Sequence, residues 1–348
     1  MNSRVLSAVT LLLLLLNATG LTFAVPNENA RRAQTDPLLR LLPDSDAVAL
    51  IDSRRFFDTA LPSILATKPA MLADINAKLD EIQQKTSIDL RKFDRLAVGL
   101  KLNKTADNSF DCDPVVLARG TYNSGALVGI AKLASKGTYR EEKLGEHTLY
   151  IFSVKDVAAK NAASTASGIT GTIDSTIDKL TGEIAITGLD ANTLAIGTVA
   201  RVRETIEGQS RVASDVLGVM SPYDRAIVSF GARTPEGMAR FLPMDNDELG
   251  KTLGAIRFLA GGLDMNAGAA NLQVLARAAS ADDAQGVFDT AQGAQQLGMA
   301  LLGSSKNANN RVLARLVQNA KLARSGNDVT VSLSIPQSDI NALMAMLK

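Results

Sequence analysis

The sequence predicts an α+β protein of two tandem ferredoxin-like (βαββαβ) units, with antiparallel sheets and helices on one face, preceded by a signal peptide. Pro114–Lys136 has the pattern of a buried strand, a tight turn and an amphipathic helix, and Leu272–Ala291 repeats this pattern near the other end. The tetrapeptide Val-Leu-Ala-Arg occurs in both stretches, at Val116–Arg119 and Val274–Arg277. These patterns predict an architecture, although none of them assigns an activity.

The first 24 residues have the layout of a secretory signal peptide. Met1–Arg4 is basic, Val5–Leu16 is apolar, and Thr22 and Ala24 supply the small residues of a cleavage site. We therefore expect cleavage after Ala24 and a periplasmic or secreted protein. An uncleaved membrane anchor is the alternative, because Val5–Val25 is long enough to cross a bilayer. Glycine and polar residues in its second half favour cleavage.

The mature chain is expected to be close to neutral. Removal of residues 1–24 takes away one arginine and no acid, which leaves 36 basic and 36 acidic side chains. This balance gives no charged field for nucleic acid, so no nucleic-acid partner is expected. No later apolar run approaches the length of a membrane span, so no integral span is expected after signal cleavage.

The first unit is predicted at residues 43–210, after a flexible leader at 25–42. Ala47–Ile51 is short and apolar and predicts a buried strand. Arg54–Lys85 predicts a helical region, broken at Lys68-Pro69 because proline cannot continue a helix interior. The next predicted elements are strands at Leu96–Leu102, Val115–Thr121 and His147–Val154 and a helix at Ser124–Lys136.

The second half of this unit contains a predicted insertion and a predicted hairpin. Residues 156–182 are rich in Ala, Ser, Thr and Gly, and we interpret them as a mobile insertion. Glu183–Gly188 and Leu194–Thr198 are predicted to pair as a hairpin. A short helix at Ala200–Glu207 and a polar joint near Gly208 follow.

The second unit is predicted at residues 221–348. Ser280 is the expected cap of a long helix, with Asp282 and Asp283 in its first turn. The predicted strands are Ala226–Gly231, Phe258–Met265, Leu272–Ala278 and Val329–Ile335. The predicted helices are Glu236–Leu242, Ala281–Leu302, Arg311–Ala320 and Ser338–Leu347.

The two units are interpreted as an internal duplication. Val98–Asn103 matches Gly261–Asn266, and the two Val-Leu-Ala-Arg runs follow in the same order. The alternative is chance, because short apolar matches arise easily in chains of this composition. Three elements recurring in one order favour duplication.

The inventory of side chains excludes most catalytic templates. His147 is the single histidine, which excludes multi-histidine metal sites within one chain. It starts a predicted strand, and we interpret it as a surface or turn histidine rather than a catalytic base. Cys112 is the single cysteine and is assigned to a polar loop. Asp111 and Asp113 flank it and are expected to raise its pKa, which makes the thiol a poor nucleophile.

Phosphate and metal motifs are also missing from the sequence. No Gly-x-Gly-x-x-Gly or Gly-x-x-x-x-Gly-Lys-Ser/Thr loop occurs, so no nucleotide cofactor is expected. Asp245–Glu248 starts like a calcium loop but has Leu249 at the third ligand position, and a solvated helix cap explains it better. No catalytic, cofactor-binding or metal residue is therefore assigned. A carboxylate pair is the remaining catalytic arrangement, although the absence of Trp disfavours a sugar site.

Two further stretches are candidates for a binding surface. Arg54–Phe57 combines two arginines with two phenylalanines, and the aromatic rings are expected to begin the core face of the first helix. Gly261-Gly262 permits the close approach of a backbone or a ligand, and a sheet bulge is the commoner cause of such a pair.

Several runs resemble a group of exported bacterial proteins common in soil acidobacteria and their relatives. The runs are Leu42–Asp52, Asp89-Leu90 ahead of Asp94–Gly99, the Val-Leu-Ala-Arg-Gly strand, and Asp190–Gly197. The resemblance implies an exported α/β protein, but the group has no established activity, so it assigns no functional residue. The 156–182 insertion departs from the compact pattern of the group.

These observations favour a non-catalytic exported protein that acts by binding. The expected partner is another envelope protein or an apolar small molecule. The competing hypothesis is a hydrolase that uses carboxylates or a serine without a recognisable motif. A pocket lined by converging acids would favour the enzyme, whereas a broad exposed apolar patch would favour a protein partner.

Overall fold

A computed structural model of the chain describes residues 36–86, 89–104, 110–135, 138–153, 182–234, 252, 254–266, 268–305 and 307–346. The predicted signal peptide, most of the leader, the insertion up to residue 181, the helix Glu236–Leu242 and the acidic run Asp245–Glu248 lie outside these residues. The described residues form an α+β structure of antiparallel sheet and packed helices.

The described elements are numbered here along the chain. The helices are α1 (Pro37–Leu41), α2 (Ser53–Arg55), α3 (Leu61–Ile64), α4 (Pro69–Thr86), α5 (Ser124–Ala134), α6 (Val199–Glu207), α7 (Ser214–Met220), α8 (Ala281–Gly303), α9 (Ala308–Gln318) and α10 (Gln337–Met346). The strands are β1 (Ala47–Asp52), β2 (Phe93–Lys104), β3 (Phe110–Gly120), β4 (Arg140–Leu144), β5 (His147–Ser153), β6 (Glu183–Asp190), β7 (Thr193–Thr198), β8 (Val228–Arg233), β9 (Ile256–Asn266), β10 (Ala269–Ala278), β11 (Lys321–Ser325) and β12 (Asp328–Pro336).

The chain divides into two compact units. The N-terminal unit consists of Asp36–Arg54 and Ala73–Ala213, and the C-terminal unit contains Arg55–Leu72 and Ser214–Lys348. The helical stretch after β1 therefore contributes to the C-terminal unit, although it precedes most strands of the N-terminal unit in sequence.

Most predicted elements that lie within the described residues are confirmed to within a few residues at each end. The cap prediction is also confirmed, since the Ser280 side chain accepts a hydrogen bond from the backbone N–H of Asp283. The sequence prediction missed β4, β11 and α7. Both missed strands are short, charged and largely exposed, so they lack the alternating apolar pattern by which strands are recognised.

In the N-terminal unit the strands lie in the order β1-β2-β3-β7-β6-β5-β4, and each neighbouring pair is antiparallel. In the C-terminal unit the order is β8-β9-β10-β12-β11, again antiparallel throughout. The predicted hairpin of β6 and β7 is confirmed, with Ile186 opposite Ile196.

This strand order differs from that of the predicted ferredoxin-like units. A split βαβ unit connects parallel strands through helical crossovers. Here β1, β2 and β3 are consecutive antiparallel neighbours, and so are β8, β9 and β10. Hydrophobic periodicity identifies a strand but does not identify its neighbours in the sheet. The element types were therefore predictable from the sequence, and the strand pairing was not.

The prediction that helices cover one face is wrong in both units. In the N-terminal unit, α5 packs Leu127 and Val128 against Leu194. Gly99, on the opposite face of the sheet, lies against Ser45, whose hydroxyl is bonded to Arg201 of α6. In the C-terminal unit, Leu275 packs with residues of α7 and the following turn.

The opposite face of the C-terminal unit packs against α8. Its cluster contains Ala284 and Val287 of that helix together with Ala276, the residue directly after Leu275. Since successive strand residues point to opposite faces, the sheet of each unit is covered on two sides.

Candidate functional site

The candidate site is built around α6 in the N-terminal unit. Thr198 caps this helix by accepting a hydrogen bond from the Arg201 backbone N–H, and its hydroxyl also donates to the Asp113 carboxylate. The helix ends at Gly208, whose φ of 65° is left-handed and whose N–H donates to the Glu204 carbonyl. Two caps thus fix where α6 begins and ends.

Arg201 is the buried charge of the site. Only 3% of it is exposed, and it shares the buried stripe of α6 with Val202 and Thr205. Its Nη2 donates to the Asp44 carbonyl at 2.7 Å and to the Ser45 hydroxyl at 2.8 Å. Its Nη1 forms an ion pair with Glu204. These bonds fix a guanidinium between α6 and the loop that precedes β1.

The Arg201 Nε has no hydrogen-bond acceptor among the described residues, although it is fully buried. A buried donor that lacks an acceptor destabilises the folded state by about 1–3 kcal/mol. Because the Nε is closed to solvent, this cost is part of the fold of the N-terminal unit.

The loop before β1 is fastened to the segment after α6. Arg211 donates from Nη1 to the Leu41 carbonyl at 2.5 Å and to the Thr205 carbonyl at 3.0 Å. Backbone bonds join Asp44 N–H to the Ser210 carbonyl at 3.3 Å and Val212 N–H to the Leu42 carbonyl at 3.4 Å. Burial lowers the pKa of the Arg211 guanidinium.

Lys101 supplies a second cation beside this loop. Its Nζ lies 2.7 Å from the Asp44 carboxylate and 3.3 Å from that of Asp46. Partial burial lowers the pKa of Lys101, but the hydrogen bond to Asp44 and the charges of both carboxylates outweigh this effect, so the pKa is raised. Lys101 is therefore a fixed ammonium at neutral pH rather than a general base.

These groups surround a polar cavity of about 430 Å³, which we call the Arg201 cavity. Each of its nine lining residues is polar, namely Asp44, Lys101, Asn103, Asp113, Arg201, Glu204, Glu207, Gln209 and Ser210. The lining contains four carboxylates and two cations, so its formal charge is negative. The cavity contains neither histidine nor cysteine, and its serine is not hydrogen-bonded to a base among the described residues.

The sequence candidates lie elsewhere. His147 starts β5, and its Nδ1 lies 3.0 Å from the Gly188 carbonyl. Cys112 lies on β3 rather than in a loop and is exposed. Burial raises its pKa most, with the Asp111 charge second, so the predicted direction is confirmed while the leading cause is different.

Arg54–Phe57 is divided between salt bridges and core. Arg54 pairs with Asp94 in the N-terminal unit, and Arg55 pairs with Asp264 at 2.5 Å in the C-terminal unit. Phe56 packs against a hydrophobic core cluster of the C-terminal unit, as predicted. This run is therefore structural.

Gly261 and Gly262 also serve packing. A Cβ on Gly261 would clash with the Gln273 backbone carbonyl and lie 2.8 Å from the Phe230 ring, and one on Gly262 would lie 2.9 Å from the Cβ of Ala226. Gly261 therefore permits the close approach of a neighbouring backbone, as the sequence predicted. The bulge between β9 and β10 falls at Arg277 instead.

Arg201 and Lys101 were not singled out from the sequence. Arg201 could have been recognised from its place in the helix pattern. It falls on the same face as Val202 and Thr205, which is the buried face, whereas charged side chains normally lie on the exposed face. Nothing in the sequence indicated that Lys101 and Asp44 meet, because they lie far apart along the chain.

Neither a metal-ligand cluster nor a membrane-spanning helix occurs among the described residues. No group of three or more potential His, Cys, Asp or Glu ligands is placed to hold a metal ion there. In the same part of the chain, every helix is too short or too polar to span a membrane.

Comparisons with known proteins give distant structural neighbours. No family model matches the chain, and no curated protein matches it. Two solved structures that resemble it are crystal form III of TP0453, with 8% identity and a TM-score of 0.43, and crystal form I, with 9% identity and a TM-score of 0.42. These matches cover 90% and 91% of this chain and 100% and 99% of the other.

Proposed function

We propose that the chain is an exported, non-catalytic binding protein of the bacterial envelope that takes a small polar ligand in the Arg201 cavity. The observation that carries this proposal is the Arg201 cavity itself, whose wall is fixed by the three bonds of the buried Arg201 guanidinium. A lining of nine polar residues favours a polar ligand over the apolar one expected from the sequence.

Occlusion of the cavity tests this proposal. Gln209 is an exposed lining residue, so Gln209→Trp would fill the mouth of the cavity without removing a core contact. The matched control is Gln296→Trp, at an exposed position on α8. Thermal shifts of the purified full-length protein would be measured against a panel of polar metabolites. We expect a shift that Gln209→Trp abolishes and Gln296→Trp preserves.

A carboxylate hydrolase is the second candidate, since four carboxylates line the cavity. General acid–base work needs two of them in different protonation states across a scissile bond. Ester and glycoside panels would be assayed with the same two tryptophan variants. Turnover that Gln209→Trp removes and Gln296→Trp leaves intact would replace the binding proposal with the enzyme.

Export after cleavage at Ala24 is part of the proposal and rests on the sequence pattern of residues 1–24. N-terminal sequencing of the protein from the native envelope would test it. A mature chain that starts after residue 24 is the expected result, whereas a retained N-terminus would indicate the membrane anchor. Affinity purification from the same material would identify envelope partners.

We also infer that the two units arose by internal duplication. The sequence motifs align Val98 with Gly261 and Val116 with Val274. The strand registers agree with this alignment. Val98 pairs with Val116 in the N-terminal unit, and Gly261 pairs with Val274 in the C-terminal unit. Independent chance matches would not be expected to share a register.

The next elements extend the correspondence. Strand β7, which pairs with β3, is followed directly by α6. Strand β12, which pairs with β10, is followed directly by α10. The third residue of each helix is a buried charge, Arg201 in one and Asp339 in the other. Arg201 pairs with Glu204 and Asp339 with Arg315, so the ancestral position carries opposite charges in the two units. A crystal structure in which these two strand sets superpose poorly would contradict the duplication.

A further inference from the structure

The solvent side of α8 in the C-terminal unit is unusually apolar. Three of the six large apolar side chains that are exposed among the described residues lie within five residues of its second half. Leu297 is 61% exposed and Leu301 is 67% exposed. An exposed apolar patch on a surface helix marks an interaction site. This surface is separate from the Arg201 cavity, which lies in the N-terminal unit.

Helical spacing places these side chains on one face. Residues three and four apart are neighbours on the surface of a helix. We call the exposed set that follows this spacing the Leu297 face, and its members are Gly293, Ala294, Leu297, Ala300 and Leu301. None of them is polar, whereas the solvent side of a surface helix normally carries charged and polar residues.

The opposite side of α8 is already occupied. Gln295 donates from Nε2 to the carbonyls of Val317 and Ala320 at 2.9 and 3.0 Å. A Cβ on Gly298 would lie 3.2 Å from the Val317 side chain, so α8 and α9 approach each other closely there. These contacts fix α8 with the Leu297 face on its solvent side, where it is available to a partner.

We propose that this partner is a second copy of the chain, packed antiparallel on the same face across a two-fold axis near Leu297. Residues 290–305 form an uncharged stretch of sixteen residues. Asp289 precedes this stretch in the sequence and Lys306 follows it, so its two ends differ in the sign of the flanking charge. An antiparallel pair brings unlike ends together, whereas a parallel pair would place the aspartates of both copies side by side.

The charge of α8 disfavours a lipid surface as the partner. The helix contains Asp282, Asp283 and Asp289 and no basic residue. A helix that lies on a membrane is typically rich in Lys and Arg on its polar face, which anionic lipids attract. The aspartates of α8 would be repelled by such lipids, so an uncharged protein face is the better match.

The dimensions of the face predict a weak dimer. Sixteen helical residues extend about 24 Å, and a helix with its side chains is about 10 Å wide. A strip of this size buries less than the roughly 1,200 Å² at which standard protein interfaces begin. We therefore expect monomer and dimer to exchange, with the dimer favoured only at high protein concentration.

Sedimentation equilibrium of the full-length protein over a range of concentrations tests the dimer. We expect the average mass to rise from that of one chain toward that of two. Leu297→Glu should weaken the association by about tenfold or more, because it removes a buried leucine from each copy and places two acids at the axis. Met71→Glu is the matched control, since it puts the same charge at an exposed apolar position of α4, and we expect no effect.

A charge swap separates the interface from an effect on folding. Leu297→Lys should also be monomeric by itself, because two like charges then meet at the axis. A mixture of Leu297→Lys and Leu297→Glu should associate again, because unlike charges meet there. Circular dichroism would verify that each variant is folded.

Four results would overturn the inference. The first three are a monomer at every concentration, a dimer that Leu297→Glu leaves unchanged, and a mixture of the two charged variants that stays monomeric. The fourth is flotation with phosphatidylcholine vesicles that Leu297→Glu abolishes, which would assign the face to lipid. None of these results concerns ligand binding at the Arg201 cavity, so the proposed function is tested separately.

Discussion

At the scale of single residues, the site depends on a glycine that leaves room for a serine. A Cβ on Gly99 would lie 2.6 Å from the Ser45 hydroxyl oxygen and 3.3 Å from Leu42. That hydroxyl donates to the Pro43 carbonyl at 2.8 Å and accepts from Arg201. Gly99 therefore sets the position of Ser45, which is a hydrogen-bond partner of Arg201.

We predict that Gly99→Ala destabilises the protein by about 2 kcal/mol, because the methyl group overpacks the space held by Ser45. It should also weaken ligand binding at the Arg201 cavity. Denaturant unfolding measures the first effect and calorimetry the second. Gly129→Ala is the control, since a Cβ there meets no atom within 4 Å and α5 should gain about 0.5–1 kcal/mol. Equal effects of the two substitutions would contradict the role assigned to Gly99.

A second prediction concerns Cys112. Burial and the charge of Asp111 raise the pKa of its thiol, so little reactive thiolate exists at neutral pH. We expect the thiol to react with a disulfide reagent more slowly than glutathione at pH 7, and the rate should rise as the pH passes 9. Asp111→Asn should accelerate the reaction, although burial remains the larger cause. Faster reaction than that of glutathione would show that a neighbouring cation lowers the pKa of the thiol, which contradicts the prediction.

At the scale of elements, α6 is held by its ends. Gly208 has a φ of 65°, and a Cβ there would lie 2.5 Å from the guanidinium of Arg211. That guanidinium ties the end of α6 to the Leu41 carbonyl. The glycine at the end of the helix and the arginine after it thus form one structural unit of the cavity wall.

We predict that Gly208→Ala costs about 2 kcal/mol of stability. Roughly half of this comes from the left-handed backbone and the remainder from the displaced Arg211. Gly145→Ala is the matched control, since Gly145 has a φ of 60° but a Cβ there meets nothing within 4 Å. Its cost should be about 1 kcal/mol. If unfolding curves give the same loss of stability for both variants, Arg211 moves aside without a cost in free energy.

At the scale of the whole molecule, carboxylates that are bonded to neighbouring groups make stability depend on pH. In the N-terminal unit the pKa is lowered for Asp89, Glu142, Glu183 and Asp190. Hydrogen bonds from Arg203 and Arg140 are the leading cause for Glu142 and Glu183. For the two aspartates, burial opposes the shift, and hydrogen bonds from neighbouring residues outweigh it.

The sign of the pH dependence follows from these shifts. A carboxylate whose pKa is lower in the folded state stabilises the fold above its unfolded value, which is 3.8 for Asp and 4.5 for Glu. This contribution is lost as the pH falls through the folded value. We therefore predict that the N-terminal unit loses stability on acidification below about pH 4.

Brief pepsin digestion at pH 3, followed by mass spectrometry, would test this prediction. Cleavages within β2, β3, β6 and β7 are expected, because these strands become accessible only when the N-terminal unit opens. The substitution Asp190→Ala should lower stability at pH 7 by about 1 kcal/mol, since it removes hydrogen bonds from Asn192 and Thr193. The difference from the parent should narrow at pH 3. Intact β2, β3, β6 and β7 after digestion at pH 3 would contradict the predicted acid sensitivity of the N-terminal unit.

Much of the fold could be predicted from the sequence, and the site could not. Strands such as β1 and β12 have short-range hydrophobic patterns, and proline and Ser280 mark helix boundaries through local backbone chemistry. Strand β1 pairs with β2 although several helices lie between them in the sequence. No local sequence pattern predicts such a long-range pairing. The charged edge strands β4 and β11 were missed because their residues face solvent.

Local periodicity and the residue inventory were enough to predict the element types, the α+β class and the lack of side chains for multi-histidine or paired-cysteine chemistry. Tertiary structure alone decided that helices cover both faces of each sheet and that Arg201, Lys101 and Asp44 enclose one cavity. The physical reason is that a buried guanidinium is stable only when partners from distant segments converge on it. That convergence is a property of the packed chain and of no single segment.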